Sequence, residues 1–105
     1  MSNDCIFCKI INGDFNTEFV HETENTVVFN DINPKAPVHL LVCPKKHYDS
    51  LIELDDKNLM AELLQSVKDA AKKVGLNAYK VHINTGKAAG QEVMHLHIHV
   101  LGSKA

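Results

Sequence analysis

Nowhere in its 105 residues does the chain hold an uninterrupted apolar run long enough to cross a bilayer, and Met1-Ser2-Asn3-Asp4 has neither part of a secretory leader. A soluble, cytoplasmic chain without a membrane partner is expected. A basic stripe is also missing. Eleven Lys and Arg stand against thirteen Asp and Glu, interspersed, for a net charge of −2, so a long nucleic acid is an unlikely partner. Cysteine is scarce and odd in number: three thiols without a secretion signal exclude a disulfide framework and leave reduced thiols or metal ligands. Internal repeats and low-complexity segments are absent. The length excludes two comfortable cores, so residues 1–105 form one domain.

What is present is well punctuated. Cys5 to Ile11, stopped by Asn12-Gly13, reads as a short helix. "EFVHE" and "TVVFND" are β-rich runs joined by the polar Thr23-Glu24-Asn25, a hairpin signal. The two prolines of Asp31 to Pro37 enforce a loop, and "VHLLVC" follows as a buried strand closed by Pro44. From Asp55 to Gly75 the apolar period becomes helical, through Leu59, Met60, Leu63, Leu64, Val67, Ala70, Ala71 and Val74, with Asp55 as N-cap and Gly75 just beyond the end. "AYKVHIN" and "VMHLHIHVL" close the chain as strands. Short connections favour antiparallel pairing. The fold expected is α+β: an antiparallel sheet of five strands with one long and one short helix packed on one face. Part of the long helix's wide apolar stripe is available to a partner subunit.

The run "GQEVMHLHIHVLG" carries the chemistry. In a strand, His95, His97 and His99 share one face while Leu96, Ile98 and Val100 share the other. Each partly buried imidazole needs a hydrogen-bond partner, so three on one face make a poor device for stability. Metal ligation and nucleophilic or acid–base catalysis remain. His39 lies on the face of its strand shared with Leu41 and Cys43 and is placed to join them; Asn84 and His82 share a face of the preceding strand. The glycine-containing loop before the triad can turn backbone N–H groups toward an anion within reach of His97.

"HLHIHVL" fits the alternating pattern of the histidine triad superfamily. "FNDINPKAPVHLLVCPKKH", "INTG" and "GQEVMHLHIHVLG" closely resemble its Hint branch, the purine nucleoside phosphoramidate hydrolases, over nearly the whole chain. The resemblance implies an α+β domain on a five-stranded antiparallel sheet, a homodimer formed through the long helix and a strand, and purine nucleotides derived from AMP or GMP as ligands. It implies transfer of a nucleoside 5′-phosphate to histidine and then to water. His97 falls on the nucleophile, with its other nitrogen held by a backbone carbonyl. His99 and His39 fall on groups that contact phosphate oxygens, and Asp31 on the acceptor for ribose hydroxyls. Ile6, Phe7, Phe29 and Ile32 fall on the base pocket, and Asn84, Gln91, Glu92 and Val93 around the phosphate. Glu92 stands where many eukaryotic relatives carry serine, and the tail lacks a longer extension that shapes leaving-group choice. His82 is outside the motif, and packing on the sheet face or facing solvent is its expected role.

Cys5-x-x-Cys8 is open on its own to a zinc half-site, a redox pair or two buried thiols, although the βαβ context of a redox motif is missing. With His47 and His95 it makes a closed Cys2His2 set, suited to structural zinc and similar to one in some bacterial relatives. No organic cofactor is implied, and Cys43 reads as a core thiol. Three functions stand: a nucleotidyl-histidine hydrolase, a hydrolase whose triad binds catalytic zinc, and a nucleotide-binding regulatory protein with incidental hydrolysis.

Overall fold

A computed structural model describes residues 5–104. The elements are α1 (Ile6–Ile11), β1 (His21–Glu22), β2 (Thr26–Asn30), β3 (Val38–Pro44), α2 (Lys57–Lys73), β4 (Tyr79–His82) and β5 (Ile98–Gly102), with single 3-10 turns at Leu51–Glu53 and Lys87–Ala89. All five strands form one antiparallel sheet in the order β1-β2-β3-β5-β4. None of the helices described is long and apolar enough to cross a membrane.

The strands in the middle of the sheet are apolar at consecutive positions because both faces are covered. Val28, Leu40, Val42, Ile98 and Val100 meet Leu59, Leu63, Val67, Ala70 and Ala71 of α2 on one side. Val27, Phe29, Leu41 and Cys43 meet Phe7 and Cys8 of α1 on the other. The helices therefore lie on opposite faces, not on one as the sequence led us to expect. Three consecutive apolar residues in Val27-Val28-Phe29 signal burial on both sides of a strand.

Helix α2 starts one residue later than expected. Asp56, not Asp55, is the N-cap, its carboxylate accepting from Leu59 N–H at 3.1 Å. Gly75 follows at φ +80, the left-handed position that suits glycine. The apolar stripe is wider than the core: Leu64 remains 57% exposed and Met60 is also exposed. At the opposite edge a hydroxyl network ties the hairpin to α2. Thr26 Oγ1 lies 2.7 Å from Ser66 Oγ, and Thr23 donates to Glu62 at 2.9 Å.

The triad segment is expected to be one strand from Val93 to Leu101, but its ladder begins only at Ile98. Pro44 explains the delay, since it has no N–H to offer across the pair, and Leu96 N–H bonds instead to Tyr48 O at 2.7 Å. The alternation of faces survives without the ladder. Leu96 and Ile98 enter the α2 core, and His95 and His97 turn to the α1 side.

Candidate active site and metal-ligand cluster

Helix α1, the end of β2, the loop that follows it and the approach to β5 enclose a cavity of about 370 Å³. Its lining combines apolar Ile6, Phe7, Phe29 and Ile32 with polar Asp31, Asn84, Glu92, His97 and His99. Phe7 orders the wall, meeting Phe29 edge-on at 5.5 Å and His97 at 5.0 Å. Ile32 is 91% exposed, while Phe29 is buried. Val93 also lines the cavity. The sequence reading omitted Ile10, Thr17, Asn30, Asn33 and Leu41 from this wall. Two carried signals: Ile10 follows Ile6 and Phe7 by one helical turn, and Leu41 shares the face of His39.

The ring protons of the histidines can be assigned from their partners. A carbonyl only accepts, so the 2.7 Å contact of His97 Nδ1 with His95 O puts the proton on Nδ1 and leaves the Nε2 lone pair free. An amide N–H only donates, so Lys35 N–H at 3.0 Å makes His39 Nδ1 an acceptor. Its proton is then on Nε2, which donates to His99 Nδ1 at 2.9 Å. His99 is left with an Nε2–H. Burial, joined by His97, His82 and His39, pushes His99 down to about 4, in keeping with a neutral ring. Burial also lowers His97, against its hydrogen bond to His95 O. His39 does not itself line the cavity; it is buried behind His99, with Asp31 Oδ2 at 3.5 Å from its Nε2.

Gln91, expected around the phosphate, is not among the residues that line the cavity. Its side chain is 3% exposed and fully engaged, donating to Asp49 O at 2.6 Å and Val93 O at 2.9 Å while accepting from Gly86 N–H at 2.8 Å. It clasps the loop that carries Asn84, Glu92 and Val93. Glu92 stays exposed at the rim. His82 does pack on the sheet face: it stacks on His99, ring centroids 4.4 Å apart.

Behind the cavity, Cys5, Cys8, His47 and His95 bring one ligand atom each within 4.8 Å of the others. His95 Nδ1 lies 3.3 Å from Cys5 Sγ and 3.5 Å from Cys8 Sγ, and His47 Nδ1 lies 3.3 Å from Cys8 Sγ. The outer nitrogens are committed: His95 Nε2 donates to Pro44 O at 2.9 Å and His47 Nε2 to Asp49 Oδ1 at 2.7 Å. Both Nδ1 lone pairs therefore face the sulfurs, and both rings carry the outer partners expected of metal-binding imidazoles. Burial, then Cys5, pushes the Cys8 thiol up to about 11, and a bound cation would favour the thiolate. The donor set fits a four-coordinate metal.

Asp31, His39 and His99 also converge. They fit a metal poorly. With Lys35 N–H on Nδ1, a neutral His39 keeps its proton on Nε2, the nitrogen that would have to ligate. This is a hydrogen-bonded relay.

Comparison with known proteins matches residues 12–105 to the HIT domain model. HitA of Neisseria gonorrhoeae is 45% identical over 104 residues, covering 96% of this chain and 97% of its own. A histidine triad protein from Clostridium difficile superposes with a TM-score of 0.91 at 44% identity, covering 100% of this chain and 95% of that one. A HIT family hydrolase from Legionella pneumophila gives 0.90 at 39% identity, covering 97% and 95%.

The clasp generates a prediction. Gln91→Ala is expected to cost about 1–3 kcal/mol by leaving buried partners unpaired, and to speed amide exchange selectively across residues 84–93. Exchange that rises equally throughout the chain, or nowhere, would show that Gln91 does not hold this loop.

Proposed function

The chain belongs to the HIT domain family, and from that premise we propose that it is a hydrolase of purine nucleoside 5′-phosphoramidates or related nucleotides, acting through a nucleotidyl-His97 intermediate. The observation that carries this reading is the His97 lone pair. His97 lines a cavity with both apolar and polar walls, while its other ring nitrogen is tied to His95 O.

Ile6, Phe7, Phe29 and Ile32 enclose the base, and Asp31 accepts from the ribose diol. In the first step the Nε2–phosphorus bond forms as the phosphorus–nitrogen bond breaks. Glu92, at the exposed rim, passes a proton from solvent to the departing amine. In the second step water attacks phosphorus, the bond to Nε2 breaks, and the water proton returns to Glu92. His99 Nε2–H donates to phosphate oxygens and offsets the charge that develops on them, with His39 fixing its tautomer. Asn84 and Val93 border the phosphate end.

Cys5, Cys8, His47 and His95 would hold zinc, whose contribution is structural: it ties α1 to the approach to β5. His97 is absent from that donor set, which weighs against a catalytic metal bound by the whole triad. Three free, buried thiols suit a reducing compartment, and we assign the protein to the cytoplasm on that ground. The outer edge of β4 and the exposed Met60, Leu64, Tyr79 and Val81 favour a homodimer through α2 and β4.

His97→Ala is expected to lower AMP release from adenosine 5′-phosphoramidate by at least about 10³-fold while AMP binding stays within a few-fold. Equal turnover in the two proteins refutes the covalent mechanism, and tight AMP binding with negligible wild-type turnover would favour a regulatory role. For the metal, chelator-treated full-length protein should melt several degrees lower and regain its melting temperature on binding about one zinc per chain. Cys8→Ser should abolish that recovery; a melting temperature indifferent to zinc in the wild type removes the assignment. For assembly, sedimentation of the wild type should give a dimer that Val81→Glu dissociates, and a wild-type monomer at micromolar concentration disproves the interface.

A further inference from the structure

His82 is not part of the pocket wall, yet it is paired with the chemistry. In the β4–β5 ladder it stands directly opposite His99, so both rings leave the sheet on the same side. Their planes are only 18° apart, with centroids at 4.4 Å. The other imidazole neighbours of His99 meet it at steeper angles, 65° for His97 and 46° for His39. His82 alone lies flat on it.

A flat stack limits what the contact can do. Imidazole hydrogen bonds lie in the ring plane, so no proton passes between two rings set face to face. The contact can position. His99 is a two-torsion side chain whose ring is gripped at one atom, Nδ1, by His39 Nε2–H. A ring gripped at a single atom can rotate out of that hydrogen bond, and the rotation both releases its tautomer and carries its far nitrogen across the pocket. A second ring pressed on its face removes that freedom. We propose that His82 is a positioning residue which, by stacking on His99, holds the ring plane so that Nε2–H is directed at the phosphate oxygens of the bound nucleotide. This deepens the hydrolase reading and rests on it.

Histidine suits this place on an edge strand. The ring is partly exposed, so its face can cover His99 while its polar edge meets water. Burial, then Lys80 and His39, lowers its proton affinity, so it stacks as a neutral ring and sets no like charge beside the relay.

The test compares full-length wild type, His82→Ala and His82→Phe by steady-state turnover of adenosine 5′-phosphoramidate and by the ¹⁵N shifts of the His99 ring. In His82→Ala, kcat should fall about tenfold with KM within about twofold, and the His99 nitrogens should move from the Nε2–H pattern toward the average of the two tautomers. His82→Phe, which restores a flat ring, should recover kcat to within about threefold together with the wild-type nitrogen pattern. Wild-type nitrogen shifts in His82→Ala overturn the proposal whatever the rates, as does a kcat loss that phenylalanine fails to recover. Absence of turnover in the wild type would instead defeat the hydrolase reading, and the nitrogen shifts would still decide whether His82 fixes the ring.

Discussion

The location of one proton on each of four imidazoles is the constraint on which this site depends. A neutral imidazole has one donor and one acceptor, and a buried one takes its orientation from whichever partner is least able to change role. Here three of the four fixed partners are backbone groups and the fourth is a carboxylate. His95 O holds His97, Pro44 O holds His95, Lys35 N–H holds His39, and Asp49 holds His47. Each bond leaves the other nitrogen with a single function: a lone pair toward the cavity on His97, lone pairs toward sulfur on His95 and His47, and a donor toward His99 on His39. A backbone amide or carbonyl cannot swap its role, so the three assignments made by the backbone do not drift with side-chain rotamers.

His95 links the two sites. Its ring faces the cysteines while its carbonyl fixes the His97 tautomer. Helix α1 makes a second link, because Cys5 and Cys8 face the cluster while Ile6 and Phe7 line the cavity. A six-residue helix is too short to be stable by itself in water. The packing of Phe7 against Phe29 and the tie at its cysteines therefore determine where that wall stands. A restraint on the cysteines would therefore reach Ile6 and Phe7 in the cavity wall and, through His95, the His97 ring.

Much of this was legible in the sequence because it follows from alternation. Strict period two set the triad histidines against Leu96, Ile98 and Val100, and the opposed core confirms that division. The four metal-ligand candidates converge as expected, since a cysteine pair one helical turn apart presents both sulfurs to one side. What escaped lies in interactions without a residue-type signature. Any non-proline residue supplies an amide N–H, so nothing in the letter at position 35 shows that its backbone sets the state of His39. Gln91 is an amide in a phosphate-flanking motif, and only its burial and three partners reveal a clasp. The placement of α1 opposite α2 was readable from the unbroken apolar run in β2 but was outweighed by the amphipathic pattern of α2. Asp55 and Asp56 are equivalent as N-cap letters, and the choice between them depends on the helix's rotation against the sheet.

The late start of β5 follows from the same chemistry. Had the ladder run from Val93 as the alternation implies, Leu96 would have been paired with Pro44. Pro44 prevents this twice: it lacks an N–H, and its carbonyl accepts from the His95 ring. Outside the ladder, His95 O accepts the His97 Nδ1–H, and Leu96 N–H is satisfied by Tyr48 O. Backbone groups left outside the ladder instead orient side chains, and the ladder ends three residues short of His95. The fold gives up regular pairing where backbone groups hold the His95 and His97 rings, and resumes it at Ile98 opposite Val42.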